Sequence, residues 1–303
     1  MSKSKKIVTP EGLRPGDKIG VTAPAGMVNI EAFHQGIDML RTLGFRVVIP
    51  EDLFSPSSFL AGTDGHRAHI FNQIFEMKEI KAVFCARGGF GAMRILPLID
   101  FRLIRKNPKI VIGFSDITAL LVNIYLKCNL WTYHGPVVTT LTDATEASIS
   151  ALKKALAQGP TYQICMDNLR SLLQGRAEGP LIGGNLATLC HLIGTPYAPS
   201  YNGHILFIED IGEPLYKIDR MLSQMELAGC FKGVRGLALG AFEGCGDPEP
   251  IFDLIHEKFE KYEIPVVTGI PIGHIHENIT IPIGAYSILN ADDGSMTILP
   301  LTP

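Results

Sequence analysis

The sequence predicts an α/β protein of two domains, a doubly wound parallel sheet followed by a smaller, more mixed unit. Three observations carry this. The chain has 303 residues, more than a single hydrophobic core usually organises. Short apolar strands alternate with helical patterns over roughly the first 155 residues, the signature of a parallel sheet with helices on both faces. The alternation then breaks in CMDNLRSLLQGRAEG, residues 165–179, and the remainder of the chain is less regular.

Taken in order, KIGVTAPA (18–25) is a strand that runs into a Pro/Gly-rich loop. Residues 31–44 space their apolar positions as a helix does and stop at Gly44, and RVVIP (46–50) is the next strand. A helix over 67–77, a strand over 81–86 and a helix beginning in 93–99 continue the rhythm. KIVIGF (109–114) is a strand followed at once by a helix over 116–127, then WTYHG (131–135) and a helix over 146–159. The N-terminal domain is accordingly placed at 1–165, a linker at 166–179 and the second domain at 180–303. In the second domain a helix comes after GGN (183–185), HILFIED (204–210) is a strand, and residues 217–229 form a helix. The strand GLALGAF, the helix FDLIHEKFEKY and the strand PVVTGI come next, and the end is a hairpin turned at DDG (292–294).

Composition excludes several classes of protein. Apolar residues make up 46% and charged residues 19%, ordinary for a globular chain, and the net charge is −3. KSKK near the start is the sole basic run, so neither nucleic acid nor an anionic membrane is an expected partner. The six cysteines are scattered without a C-x-x-C, which suits free thiols in a reducing compartment. The basic start leads into IVTPEGLRPGDK rather than an apolar signal core, and no apolar run approaches the roughly 18 residues that span a bilayer. A cytoplasmic location is expected.

The candidate chemistry begins at Gly113-Phe114-Ser115-Asp116. Catalytic groups of parallel sheets gather at the carboxyl ends of strands, and Ser115 stands at such an end, before a helix whose first N–H groups can stabilise an oxyanion. The pattern is that of a nucleophile elbow, except that G-x-S-x-G fails at Ile117. Serine is also a favoured helix N-cap, so spacing leaves both roles open. Gly88, Gly89 and Gly91 come after another strand, in a loop whose backbone could approach a ligand or simply turn tightly. That loop is not G-x-G-x-x-G and lacks the Lys-Ser/Thr of a phosphate loop, so no nucleotide cofactor is expected. A nucleophilic serine needs a base and a group that orients the base. His134, ending a strand, and His274 and His276, in a Gly/Pro-framed loop, are the candidate bases; Glu209, Asp210 and Glu213 are the candidate acids. His274, His276 and Glu277 lack an H-E-x-x-H arrangement or a third ligand at recognisable spacing, so no metal is expected.

RGGFGAMRIL, IGFSDITAL, HGP, PLIGGNL, FIEDIGE, IDRML and GHIHENITIPIGA occur in the order and approximate spacing of the LD-carboxypeptidase family, serine peptidases of the murein tetrapeptide carboxypeptidase type. The resemblance spans essentially the whole chain. It implies Ser115 as nucleophile, Glu209 as acid and His274 as base, with backbone N–H groups of Gly89 and Asp116 as the oxyanion hole. It further implies a flavodoxin-like or glutamine-amidotransferase-like first domain, a barrel-like second domain, an active site between the two, and a homodimer. The implied activity is hydrolysis of the terminal L,D bond of a muropeptide stem, releasing D-alanine without a cofactor. Arg87 and Arg94, flanking the glycine loop, and His134 are candidates for holding the substrate. Two alternatives are a microcin-immunity peptidase, which cleaves a toxic peptidyl- or aminoacyl-adenylate with the same triad, and a non-catalytic small-ligand binding protein. The microcin branch tends to carry an aromatic loop over the nucleobase, whereas the single tryptophan here, Trp131, fits a core position.

Overall fold

The computed structural model describes residues 7–55 and 57–300. Two compact units divide it: one runs to Pro160 and takes in Ile279–Pro282, the other covers Thr161–Asn278 and the chain from Ile283 onward.

The first unit alternates β1 (Lys18–Thr22), α1 (Ile30–Thr42), β2 (Arg46–Val48), α2 (Asp64–Glu76) and β3 (Ile80–Cys85), then α3 (Ala92–Ile95), α4 (Phe101–Lys106), β4 (Ile110–Gly113), α5 (Thr118–Cys128), β5 (Thr132–His134) and α6 (Glu146–Gln158). β2, β1, β3, β4 and β5 lie side by side in that order, and every pairing among them is parallel. This 2-1-3-4-5 order is the flavodoxin-like arrangement, with the switch of direction between β1 and β3. A sixth strand, Ile281–Ile283 (β12 in chain order), borders β5. All four residues of β4 are buried, because a central parallel strand is covered on both faces and reads as one apolar run. Helix starts are fixed by side-chain caps: Asn29 Oδ1 accepts from the N–H of Ala32 at 3.0 Å, and Thr63 Oγ1 from that of His66 at 3.2 Å.

The second unit contains β6 (Ile164–Met166), β7 (Arg170–Leu173), β8 (Arg176–Asn185), α7 (Leu186–His191), β9 (Ile205–Ile211), α8 (Leu215–Leu227), β10 (Gly236–Glu243), α9 (Pro248–Phe259), β11 (Val266–Thr268), β13 (Tyr286–Asn290) and β14 (Ser295–Ile298). They form a mixed, barrel-like sheet in the order β6-β14-β13-β8-β9-β10-β11-β7. β8 to β11 pair in parallel, while β7, β13, β14 and β6 join antiparallel at the two sides.

Two boundaries differ from the sequence expectation. Residues 166–179 are not a linker, because β7 and the start of β8 lie there as strands of the second sheet. Their runs are short and interrupted by left-handed turns at Asn168 (φ 60°) and Gly175 (φ 120°), so neither helical nor strand periodicity has room to show. The first sheet also recovers a strand from beyond residue 278, a four-residue return that no local pattern announces. The helix α4 is a further addition; Asp100 Oδ1 caps it by accepting from the N–H groups of Arg102 and Leu103. The terminal hairpin forms where expected, with Gly294 at φ 65° in its turn.

Candidate active site

In the first unit, β4 delivers the chain to Ser115 in a left-handed conformation, φ 61°, which non-glycine residues adopt only at a cost. Gly113 makes this turn possible. A Cβ there would stand 2.6 Å from Ile117 Cγ2, so the absent side chain is the space into which Ile117 folds back. The departure from G-x-S-x-G is thereby explained, because isoleucine at the fifth position packs over the glycine at the first. Ser115 opens a single 3-10 turn, Ser115–Ile117, ahead of α5, and the cap positions of the turn and of the helix are Phe114 and Ile117. Ser115 is therefore not the N-cap residue.

The glycine loop lies directly against the serine. A Cβ on Gly88 would sit 2.9 Å from Ser115 Cβ and 3.1 Å from its Oγ. Gly89 and Gly91 hold φ of 100° and 121°, a region closed to most side chains. The loop is tied on either side: Gly88 O accepts from the N–H of Gly26 at 3.1 Å, and Asp116 Oδ2 accepts from the N–H of Ala92 at 2.8 Å.

In the second unit, β9 carries two adjacent carboxylates, and strand alternation sends them to opposite faces. Glu209 is wholly buried, and its Oε2 lies 2.7 Å from His274 Nδ1. With an ionised carboxylate as partner, Nδ1 carries the proton and donates it, which leaves the Nε2 lone pair as the base. Gly273 is essential to this approach: it has φ 113°, and a Cβ there would be 2.7 Å from Glu209 Oε2. Asn278 Oδ1 closes the loop by accepting from the N–H of Gly273 at 3.1 Å. Asp210 turns the other way and takes Asn185 Nδ2 at 2.8 Å, the N–H of Ala187 at 2.9 Å and that of Ile211 at 2.9 Å. Burial nevertheless pushes its carboxyl up to about 6, against the pull of those hydrogen bonds.

Of the remaining candidates, Glu213 pairs with Lys217 at 3.3 Å and His276 is exposed. Arg87 is exposed and donates to Met27 O at 2.5 Å. The other two substrate-binding candidates have different surroundings. Arg94 is already occupied, with Nε and Nη2 both on Asp64 Oδ2 at 3.0 and 2.8 Å. His134 is fully buried in an all-buried strand, its ring 6.0 Å from that of Phe114, and so presents nothing to a ligand. Sequence reasoning missed Asn278, the close contact at Gly88 and the buried Arg67. The last had a signal, since Arg67 shares the helical stripe of Ile70, Phe71, Ile74 and Phe75, where a charged residue is out of place.

A left-handed serine at the carboxyl end of a parallel strand, a glycine loop against it and a carboxylate-oriented histidine define the parts of a serine hydrolase. Comparison narrows the class. A model of the LD-carboxypeptidase N-terminal domain matches residues 19–135, and one of the C-terminal domain matches 178–289. The chain belongs to the LD-carboxypeptidase family and is a serine peptidase. It is 37% identical to a probable murein peptide carboxypeptidase of Bacillus subtilis, over 95% of this chain and 93% of that one. It is 30% identical to the microcin C7 self-immunity protein MccF of Escherichia coli, over 94% of each. The crystal structure of an MccF-like protein from Bacillus anthracis superposes with a TM-score of 0.89 at 28% identity, covering 96% of this chain and 99% of that one.

Proposed function

We propose that this carboxypeptidase hydrolyses the terminal L,D peptide bond of murein tetrapeptide stems and releases D-alanine, recycling wall fragments in the cytoplasm as a homodimer. Ser115 held at φ 61° carries the chemical part of the reading: the chain bears a costly backbone conformation at the one residue that would be the nucleophile. The similarity to a murein peptide carboxypeptidase supports the substrate class.

In this mechanism His274, oriented through Nδ1 by Glu209, takes the Ser115 proton on Nε2. Ser115 Oγ attacks the carbonyl carbon, and the N–H groups of Gly89 and Asp116 hold the oxyanion. The imidazolium returns its proton to the departing amine, D-alanine leaves, and water hydrolyses the acyl-enzyme by the same route in reverse. Ser115 and His274 belong to different units, so the chemistry requires hydrogen-bond reach between them in the working enzyme.

The similarity to MccF favours a second reading, cleavage of an aminoacyl- or peptidyl-adenylate with the same residues. Burial of Trp131 speaks against it, because the single tryptophan of the chain is fully covered and cannot stack on a nucleobase. Release of D-alanine from a tetrapeptide stem, measured beside turnover of an aminoacyl-adenylate, separates the two. Stem hydrolysis at a kcat/KM below that of the adenylate would reverse the choice. Activity on neither, with Ser115 inert toward a serine-directed phosphonate, would favour a non-catalytic binding protein.

A further inference from the structure

The peptide that joins Gly91 to Ala92 is gripped at both ends by buried charged side chains. Its carbonyl accepts from Arg67 Nη1 at 2.9 Å, and its N–H donates to Asp116 Oδ2 at 2.8 Å. Arg67 is 1% exposed and Asp116 7%. We propose that Arg67 and Asp116 are positioning residues for catalysis, a two-sided clamp that fixes the glycine loop against Ser115. This rests on the reading of Ser115 as the nucleophile.

Four features point to a device rather than to incidental packing. First, the guanidinium reaches three separate loop segments: Nη1 also donates to Pro24 O, beyond the end of β1, and Nε donates to Gly62 O at 3.0 Å. Its Nη2 meets the Asp64 carboxylate at 2.5 Å. Burying a charge is costly, and an apolar side chain would fill the same volume without that cost, so the bonds it makes are the reason for it. Second, Asp116 directly follows the nucleophile, so its carboxylate links the elbow itself to the loop. Third, Gly91 is shaped for the clamp, because a Cβ there would lie 2.9 Å from Arg67 Nη1 and 2.7 Å from Leu60 Cδ2. Fourth, a peptide unit is planar, so holding its oxygen and its N–H together fixes the orientation of the whole plane. The loop needs such a restraint, since glycines at positive φ are the least self-ordering residues available. An oxyanion hole stabilises a transition state only when its donors are already in place.

The test uses the full chain with Asp116→Ala, Asp116→Asn and Arg67→Lys, read by three measurements. These are the rate of Ser115 phosphonylation by a fluorophosphonate, kcat and KM for D-alanine release, and amide hydrogen exchange in a peptide spanning 86–95. Asp116→Ala should slow phosphonylation and lower kcat on the order of 10²-fold, the effect of roughly 1 Å of misplacement, with KM within threefold. Exchange should accelerate in 86–95 and not elsewhere in the unit. Asp116→Asn keeps an acceptor for Ala92 N–H and should recover to within about tenfold of the parent rate, which removal of a merely structural charge would not predict. Arg67→Lys should fall between the two. The proposal is overturned if Asp116→Ala labels within threefold of the parent, or if 86–95 exchanges no faster. It is also overturned if the parent is never labelled at Ser115, since no nucleophile then exists to be positioned. A parent that labels but releases no D-alanine sinks the substrate assignment alone, and the labelling ratios still judge the clamp.

Discussion

Gly88→Ala isolates how closely the glycine loop must approach Ser115, the proposed nucleophile. The backbone at Gly88 lies outside the left-handed region, so alanine is conformationally acceptable and the effect is one of contact alone. The new methyl would stand 2.9 Å from Ser115 Cβ, 3.1 Å from Oγ and 3.4 Å from Phe114 O. Carbon atoms settle at about 3.5–4.0 Å, so loop and serine must separate by roughly 0.6–1 Å. The nearest obstacle is a Cβ at a strained turn, not the free end of a long side chain, and backbone has to move. A shift of that size costs on the order of 10²-fold in rate, whereas overpacking by one methyl costs about 1–3 kcal/mol of stability. kcat and the phosphonylation rate should therefore drop about a hundredfold while the thermal transition falls by only several degrees. Gly65→Ala in α2 is the control, because nothing lies within 4 Å of its added methyl, and it should leave activity alone and stabilise slightly. Parent-like activity in a folded Gly88→Ala enzyme would show that the loop does not set the position of Ser115.

The same geometry fixes three further outcomes. Ser115→Gly should be inactive yet more stable than Ser115→Ala by about 1 kcal/mol, since glycine alone relieves the left-handed strain; equal urea midpoints would mean the turn stores none. Ser115→Ala and His274→Ala should each lose on the order of 10⁴-fold in turnover, Glu209→Gln somewhat less, and the Ser115→Ala/His274→Ala double variant should be little worse than either single; additive losses would deny that the residues act as a unit. Burial raises Asp210 to about 6 when folded against 3.8 unfolded, so the folded state holds that proton more tightly, and the contribution of Asp210 to stability is full below about pH 4 and declines as pH rises through 6. The decline amounts to about 3 kcal/mol at 1.36 kcal/mol per pKa unit, and Asp210→Asn, though less stable in absolute terms, should flatten it in urea titrations from pH 4 to 7; an unchanged slope would assign the titration elsewhere.

Much of the architecture is legible in the sequence because it is written in local periodicity. The buried run of β4 and the apolar spacing of α1 and α2 announce themselves over windows of four to thirteen residues, although α2 starts at Asp64, three residues before the periodicity shows it. Ser115, Glu209 and His274 are the candidates that motif order picks out, and inside the second unit His274 Nδ1 lies 2.7 Å from Glu209 Oε2. The hidden part depends on contacts between distant residues. Strand Ile281–Ile283 leaves its neighbours in sequence to border β5, and no three-residue window can say so. His134 and Arg94 look like cleft residues because they flank cleft motifs, but one side chain points into the core and the other is already paired. Arg67 is the reverse case, a charge at a core position that local polarity alone would place on the surface.

Glycine would be the structurally cheaper choice at position 115. The φ of 61° suits it, and no bulky side chain is needed where the Gly88 backbone closes in on the residue. A sequence optimised for folding alone would favour glycine there, as this chain does at Gly16, Gly44 and Gly294, although Ser58, Asn129, Asn168 and Glu263 also hold positive φ. Strain of this kind persists only where the surroundings over-determine the conformation. At Ser115 they do so from three directions: Ile117 folded over Gly113, Gly88 against the side chain, and the Asp116 carboxylate anchored on Ala92. Each restraint acts on the elbow from within the first unit. A violated local preference held in place by its whole neighbourhood is where catalytic function is expected to reside, and the stability gained by Ser115→Gly, set against the turnover it loses, measures how much folding free energy the chain gives up to keep a serine there.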